Sequence, residues 1–557
     1  MSYLFKLTLF LFLAACSLQS RKDQAQIREY FKLNETDKAF ALLEKSEFKT
    51  EEKNKLLYLL NKGRILYAKE EFKSAADVFV EASELVDKLY TKSVREALLT
   101  SIASNNNESF YGSPYERSLL FYYQALSFLK IYENGFIQSK DEKNKLTRVE
   151  LTSQERKRYL FRARASAVAW DTFYKELQRS SRESTKFDHD LFAKMMGAKI
   201  HELVGERQDQ QIALQLYQDA YELLEKSAPV FFSFNTQAME FLTGENEKEK
   251  PVVKSEQYQK TKDYIAYKIL SLAKKRQRWK FSKLKKKLKP SKAVLDKIAQ
   301  KNNTTILIES GLIAPLKAES VSYNLRSAIE NVDNPAAATF IAAVGVPVLT
   351  YFAMGPLGLG AVKTRGDQKI YFRHSAGEAM TAEAGIEFEI PIIERPVPTS
   401  LKELVVYNVE GESEKVVKKI DLSMIGPISD LAFNINRERV KASFSKRGAR
   451  IAVKHVLAII SAFKTYQIMK EKHGETFARP AAFAQYLVLA KAIRETERAD
   501  TRQWGILPSE VLMAEADIPP GTYKLRLVDK ADSKIKRELG DITIQAEREA
   551  FFTYSAP

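Results

Sequence analysis

Apolar residues recur at helical spacing through the first half of the chain and at strand spacing through much of the second. Between residues 22 and about 275, Leu, Ala and Tyr return every three or four positions among Lys and Glu, with few prolines, which predicts helix after helix. After Asn303 the texture changes. Thr304-Thr305-Ile306-Leu307-Ile308-Glu309 is short and β-branched, bounded by Asn302-Asn303 and Gly311, and predicts a strand. Ile386-Glu387-Phe388-Glu389-Ile390 alternates strictly, and Leu404 to Val409 does so in part, as half-buried strands do. A long helix is expected from about Ala442 to Lys472, with a core stripe of Val453, Val456, Leu457, Ile460 and Phe463, followed by another over about Ala481 to Glu497. The tail reads as β: Glu510 to Ile518 pairs with Thr522 to Val528 across Pro519-Pro520-Gly521, and Ile542 to Ile544 and Phe551 to Tyr554 add two short strands packed on the long helix.

The helical half carries a repeat-like pattern. Leu59, Gly63, Leu66, Phe72, Ala75, Phe79 and Ala82 fall where a tetratricopeptide repeat puts its large and small packing residues. Small side chains at Gly63 and Ala75 let two helices approach, and Phe79 and Ala82 seat the next pair. Gly197, Ile200, Ala213, Tyr217 and Ala220 form a second match with a longer turn. A third begins with the helix Tyr115 to Tyr132 and continues, after a charged loop, with a helix from Glu155 to Leu177. The expected fold class is α+β and multidomain: an all-α tetratricopeptide-like solenoid over 16–275, a basic bridge over 276–300, and a C-terminal α+β domain with a small antiparallel sheet over 301–557. An irregular helical bundle is the alternative for the first half.

The N-terminus changes the picture from fold to location. Lys6 precedes an apolar run, Leu7 to Ala15, too short for a permanent span and fit for a secretory signal over residues 1–15. Leu13-Ala14-Ala15-Cys16 resembles the bacterial lipoprotein signal. That resemblance implies cleavage before Cys16 and acyl chains on its thiol and amine, enough for stable anchoring. Ser17, where an Asp favours inner-membrane retention in enterobacterial lipoproteins, points by the same resemblance to the outer membrane. Cys16 is the only cysteine, so no internal disulfide is possible.

The formal net charge is +17, and its densest source is local. Lys274, Lys275, Arg276, Arg278, Lys280, Lys283, Lys285, Lys286, Lys287, Lys289 and Lys292 follow one another without an acid, with Trp279 and Phe281 interleaved. Such a segment lies on an anionic surface as a basic helix, or it is a solvated linker. By contrast, Asn334 to Val362 holds no charge at all; its glycines and prolines favour a buried or lipid-facing loop–helix element over a plain transmembrane helix.

Candidate chemistry is sparse. Five histidines occur, with no metalloprotease, phosphate-loop or nucleophile-elbow motif. Asp188-His189-Asp190 diverges on a helix, and Ser127-Phe128-Leu129-Lys130 matches the Ser-x-x-Lys of penicillin-interacting enzymes by spacing alone. No catalytic residue, metal or cofactor is assigned. Asp500, Arg502 and Trp504 suit an ion pair capped by an indole face before a turn at Pro508, either a structural latch or a ligand cluster.

Glu495 to Leu507, Pro508-Ser509-Glu510, Pro519-Pro520-Gly521-Thr522, Tyr115 to Leu120 and Glu309 to Pro315 together resemble an uncharacterised family of Gram-negative envelope lipoproteins with tetratricopeptide-like N-terminal halves. The resemblance implies a part in envelope assembly, by association with lipoproteins of the penicillin-binding-protein activator type. The expectation is a non-enzymatic, outer-membrane-anchored periplasmic scaffold. Its helical half binds envelope proteins, and lipid on Cys16, with the basic bridge, meets the membrane rather than nucleic acid. A cell-wall glycan or peptide enzyme and a component of an export assembly are the alternatives.

Overall fold

The computed structural model describes residues 20–96, 109–140, 146–179, 190–243, 251–300, 302–323, 359–365, 369–374, 386–397, 400–410, 413–532, 536–545 and 550–557. The signal segment 1–15, Cys16, residues 334–358 and the Asp188-His189 pair lie outside them.

Helix α1 covers residues 20–32. After it come α2 (Thr36–Lys45), α3 (Glu47–Thr50), α4 (Lys55–Ala68), α5 (Phe72–Glu96) and α6 (Pro114–Asn134). The charged loop expected next is a β-hairpin, β1 (Phe136–Lys140) against β2 (Leu146–Glu150). Helices α7 (Ser153–Arg179), α8 (Leu191–Val204), α9 (Arg207–Ser227), α10 (Ala238–Thr243) and α11 (Glu256–Arg276) complete the helical half. Local chemistry fixes the ends. At α6, Ser113 and Glu116 form a capping box with Pro114 in the first turn, and Gly135 closes the helix at φ +74°. Serial packing runs α4 on α5, α5 on α6, α6 on α7, α7 on α8, α8 on α9 and α9 on α11.

Residues 276–300 are helical rather than an extended linker. They form α12 (Arg278–Leu288) and α13 (Lys292–Ala299), both packed on α11, with Lys289 at φ +46° and Pro290 ending α12.

The strands follow: β3 (Thr304–Leu312), β4 (Leu316–Tyr323), β5 (Leu359–Arg365), β6 (Lys369–His374), β7 (Ile386–Ile393), β8 (Lys402–Glu410), β9 (Ser413–Asp421) and β10 (Ser423–Gly426). A long helix α14 (Ile428–His473) turns at Gly474 into α15 (Glu475–Thr496). The chain closes with β11 (Pro508–Ala516), β12 (Gly521–Asp529), β13 (Lys536–Ile544) and β14 (Ala550–Ala556). Two four-stranded sheets result, β10-β11-β3-β14 and β13-β12-β8-β9, beside the two-stranded ribbons β4–β7 and β5–β6.

The expected pairing of Glu510–Ile518 with Thr522–Val528 does not occur. β11 pairs with β3 and β10, whereas β12 pairs with β13 and β8 in the other sheet. The reason lies in the burial each strand needs. β11 runs through Val511-Leu512-Met513-Ala514 without a polar break and is buried on both faces, so it takes a central position. β12 alternates, with Tyr523, Leu525 and Leu527 inward, and so suits a one-sided antiparallel sheet. Pro519-Pro520 lies between them as a crossover rather than a hairpin turn. The first sheet is also mixed, because β14 runs parallel to β3.

One hydrophobic core joins the two halves of the sequence, extending from Ile27 through the helices to Ala556. The inner helices step across the first sheet in strand order. From α4, Tyr67 bonds Thr553 of β14 and Arg64 bonds Ser555 of β14 and Glu309 of β3. Tyr122 of α6 bonds Glu309, Lys199 of α8 bonds Glu515 of β11, and Thr261 of α11 bonds the Met424 carbonyl of β10. The inner faces of these helices are covered by the chain's own sheet.

Candidate functional site

Four sequence segments meet at one place: Tyr115–Leu120, Glu309–Pro315, Glu495–Leu507 and Pro508–Glu510. Gln503 Nε2 donates to the Tyr115 hydroxyl at 3.0 Å and to the Ala314 carbonyl at 3.3 Å, and its Oε1 accepts from Leu316 N at 2.9 Å. Trp504 N donates to Glu116 Oε1, and Pro508 stands opposite Leu312 in the β11–β3 ladder. Gly311, at φ +64°, leaves room for Ser509, whose hydroxyl donates to the Ser310 carbonyl. Helix α1 clasps the segment from outside, with Arg21 on the Ala499 carbonyl and Arg28 on that of Gly505.

Within it Asp500 and Arg502 form the expected ion pair, bidentate at 2.9 and 2.7 Å, and Arg502 Nη1 reaches Asn54 Oδ1 at 3.0 Å. Trp504 does not cap that pair. Its indole is buried beside Phe79 and Tyr123, and the aromatic ring near the guanidinium is Phe110, at 5.7 Å. Residues 501–504 follow no regular strand, and by Trp504 the chain has entered the core between α5 and α6. The cluster ties α1, α6 and β3 to β11, which is the geometry of a latch.

Two carboxylates sit on the helix-facing side of the first sheet, since the register pairs Glu309 with Val511 and Thr305 with Glu515. Both are buried and matched. Glu309 accepts from Arg64 at 2.7 Å and from the Tyr122 hydroxyl at 2.9 Å. Glu515 accepts from Lys199 at 2.8 Å and from Lys268 at 2.7 and 2.9 Å. Burial pushes the Glu515 carboxyl up, but the two ammonium groups overcome it and hold the group well below the usual carboxylate range. A carboxyl held so low does not supply a proton at neutral pH. Sequence periodicity missed both sites, because every partner is distant in the chain, the nearest being Tyr122, 187 residues from Glu309.

Other candidates are structural. Ser127 of the Ser-x-x-Lys match is buried on α6 and gives its hydroxyl to the Tyr123 carbonyl at 2.7 Å. Asp190 caps α8 through Ala193 N and accepts from the Ser118 hydroxyl. His455 is buried with its Nδ1 3.2 Å from the Tyr486 hydroxyl, and burial lowers its pKa to about 4. Among the described residues, no three His, Cys, Asp or Glu side chains gather to hold a metal, and no helix is long and apolar enough to cross a membrane.

Two surface features remain. On the basic segment Lys274, Lys275, Arg276, Arg278, Lys283, Lys285, Lys286 and Lys287 are exposed, Lys280 is half-buried, and Trp279 stands 77% exposed. The second feature is the α14–α15 hairpin. The root of α14 buries Ile428, Leu431, Ala432 and Ile435 in the main core. Farther out, Tyr466 packs on Ala478 and Ala482 of α15 in a small core of their own. Leu457, expected in the core stripe, is 52% exposed, as is Ile468; on α15 Phe477 and Val488 are 67% and 66% exposed. The spacing in each pair is eleven residues, close to three full turns, so each helix carries its pair on one face. The side chains of Val453, Val456, Ile460 and Phe463 lie outside the described set.

No protein family, curated protein or solved structure matches the chain.

Proposed function

We propose that the protein is a lipid-anchored scaffold of the cell envelope that presents the α14–α15 hairpin to a protein partner. The observation that carries this is the pair of exposed apolar faces on the hairpin, Leu457 with Ile468 and Phe477 with Val488. At 46 residues, α14 is ~69 Å long, and its outer part rests on α15 alone among the described contacts of that region. Apolar side chains at that spacing suit a third helix laid along either face. The lipoprotein-like Leu13-Ala14-Ala15-Cys16 supports attachment to a membrane, with the outer membrane facing the periplasm as the location. Because the sheet occupies the inner helices, the partner surface is assigned to the hairpin rather than to a concave solenoid face.

The test is photocrosslinking in cells from a reactive residue placed at position 468 or 488 of the full chain. A discrete adduct with an envelope protein is expected, and it should disappear when Phe477→Asp and Leu457→Asp are added without change in the thermal unfolding of the body. Adducts that survive those substitutions, or none at all, overturn the hairpin as the docking element.

A further inference from the structure

We infer that α12, with the last turn of α11, is a docking face for an anionic phospholipid bilayer. The inference stands on α12 itself and does not depend on acylation of Cys16 or on the hairpin's partner.

The helix has two faces of opposite character. Phe281, Leu284 and Leu288, at helical spacing, pack on the main core and fix its orientation. The opposite side is open: Arg278, Trp279, Lys283, Lys285 and Lys286 are exposed, and Lys274 and Lys275 extend the same patch along α11. Several surface lysines elsewhere have acidic partners. Lys254 and Lys262 share Glu225, and Lys260 and Lys530 share Asp421. Among the described residues, Lys287 alone in the patch approaches an acid, Glu222 at 3.5 Å, both well exposed, while Arg276 bonds Gln210 and Lys280 lies over the Trp279 ring at 4.9 Å. Among the described residues Lys274, Lys275, Arg278, Lys283, Lys285 and Lys286 have no carboxylate within salt-bridge distance. Like charges held this close on a fixed helix repel one another, and an anionic partner relieves that repulsion.

Trp279 selects the partner. An indole largely in water amid cations matches the membrane interface, where an amphipathic ring sits at headgroup level and lysine stems reach the phosphates. A single-stranded nucleic acid site needs a row of aromatic platforms for successive bases, and this patch presents one. The helix is bound down along its apolar stripe and lies flat on the surface, which suits a planar lipid surface rather than entry into a groove.

The three tryptophans make the test specific. Trp170 and Trp504 are buried, so any shift in intrinsic emission on binding reports on Trp279. The full chain carrying Cys16→Ser, so that no acyl chain is attached, is mixed with phosphatidylethanolamine–phosphatidylglycerol vesicles and with phosphatidylcholine vesicles. A blue shift and co-sedimentation are expected with the anionic vesicles alone, weakening as salt is raised. The variant Lys283→Gln/Lys285→Gln/Lys286→Gln should lose roughly fivefold in partitioning per cation removed, about a hundredfold in all. These residues are exposed, so the thermal unfolding temperature should not move. Trp279→Ala, read by co-sedimentation, should weaken binding to the same vesicles. Equal binding to neutral vesicles, binding unchanged in the triple variant, or duplex DNA displacing the anionic vesicles from this patch would each overturn the inference.

Discussion

The Arg64 guanidinium on α4 meets the Glu309 carboxylate on β3 at 2.7 Å, with the two side chains 1% and 3% exposed. Phe31 and Tyr123 hold the guanidinium between them, each ring centroid 4.8 Å away. This pair sets the helical half in register with the sheet. Removing one partner leaves the other charged and buried, so Arg64→Met or Glu309→Gln should each destabilise the fold by about 3–5 kcal/mol. Arg64→Lys should rescue little, because an ammonium does not stack as a plane between the Phe31 and Tyr123 rings. Arg64→Met combined with Glu309→Leu should recover much of the loss, since the desolvation cost goes with both charges. A double-mutant cycle in denaturant unfolding measures this, and a coupling near zero refutes the role given to the pair.

Gly63 on α4 faces the Phe79 ring of α5 so closely that an added Cβ would lie 2.6 Å from it. The ring cannot swing aside freely, because Tyr123 stacks on it at 5.8 Å and Trp504 stands 6.1 Å away. Gly63→Ala should therefore destabilise by about 1–2 kcal/mol, even though alanine is the better helix former by roughly 1 kcal/mol. Thermal unfolding decides the sign; a more stable variant would show that Phe79 gives way.

That contact was legible in the sequence, as were the burial of Ala75, Phe79 and Ala82 and of Gly197, Ile200, Ala213, Tyr217 and Ala220, because close helix packing leaves a local size pattern. Strands β3, β8 and β12 were legible from alternation or β-branching. Partners across long separations were not. Glu309 and Glu515 stand near the ends of apolar strands, where a lone acid reads as an exit to solvent. Their cations lie 245, 316 and 247 residues away, and nothing local announces Lys199 or Lys268 as buried. The Asp500–Arg502 pair was legible at two-residue spacing, whereas the indole's turn into the core depends on α5 and α6. For α14 the helix was legible but the depth of Leu457 was not. Apolar spacing reports which residues share a face, and only the fold decides whether Leu457 meets a neighbour or water.

Glu515 gives the fold an acid limb. Its pKa is depressed in the folded state, so as pH falls through about 4.5 the unfolded chain takes up the proton first and stability drops. The contribution is complete above the unfolded value and is lost progressively in more acid solution. Glu515→Gln should flatten that limb. At neutral pH it should destabilise by about 3–5 kcal/mol, because Lys199 and Lys268 are left with Glu202 as their nearby acid. Urea unfolding at a series of pH values tests both effects, and an unchanged acid limb in the variant would assign that limb to other carboxyls.

Asp430, in the first turn of α14, acts with the opposite sign. Its two oxygens accept from Phe232 N at 3.1 Å and Ser233 N at 3.0 Å, which favours the charged form. Burial outweighs those bonds and, with the Glu510 charge nearby, pushes its pKa up to about 6 from 3.8. Between those values the folded state holds a proton that the unfolded chain has released, so this group's contribution to stability falls as pH rises through the interval. The accumulated loss is roughly 3 kcal/mol by pH 7. Asp430→Asn cannot titrate there. The stability of wild type minus that of the variant should therefore shrink by about that amount from pH 4 to pH 7 and stay level above it. A difference that is flat over this range would mean that the two backbone donors hold Asp430 near its ordinary value despite its burial.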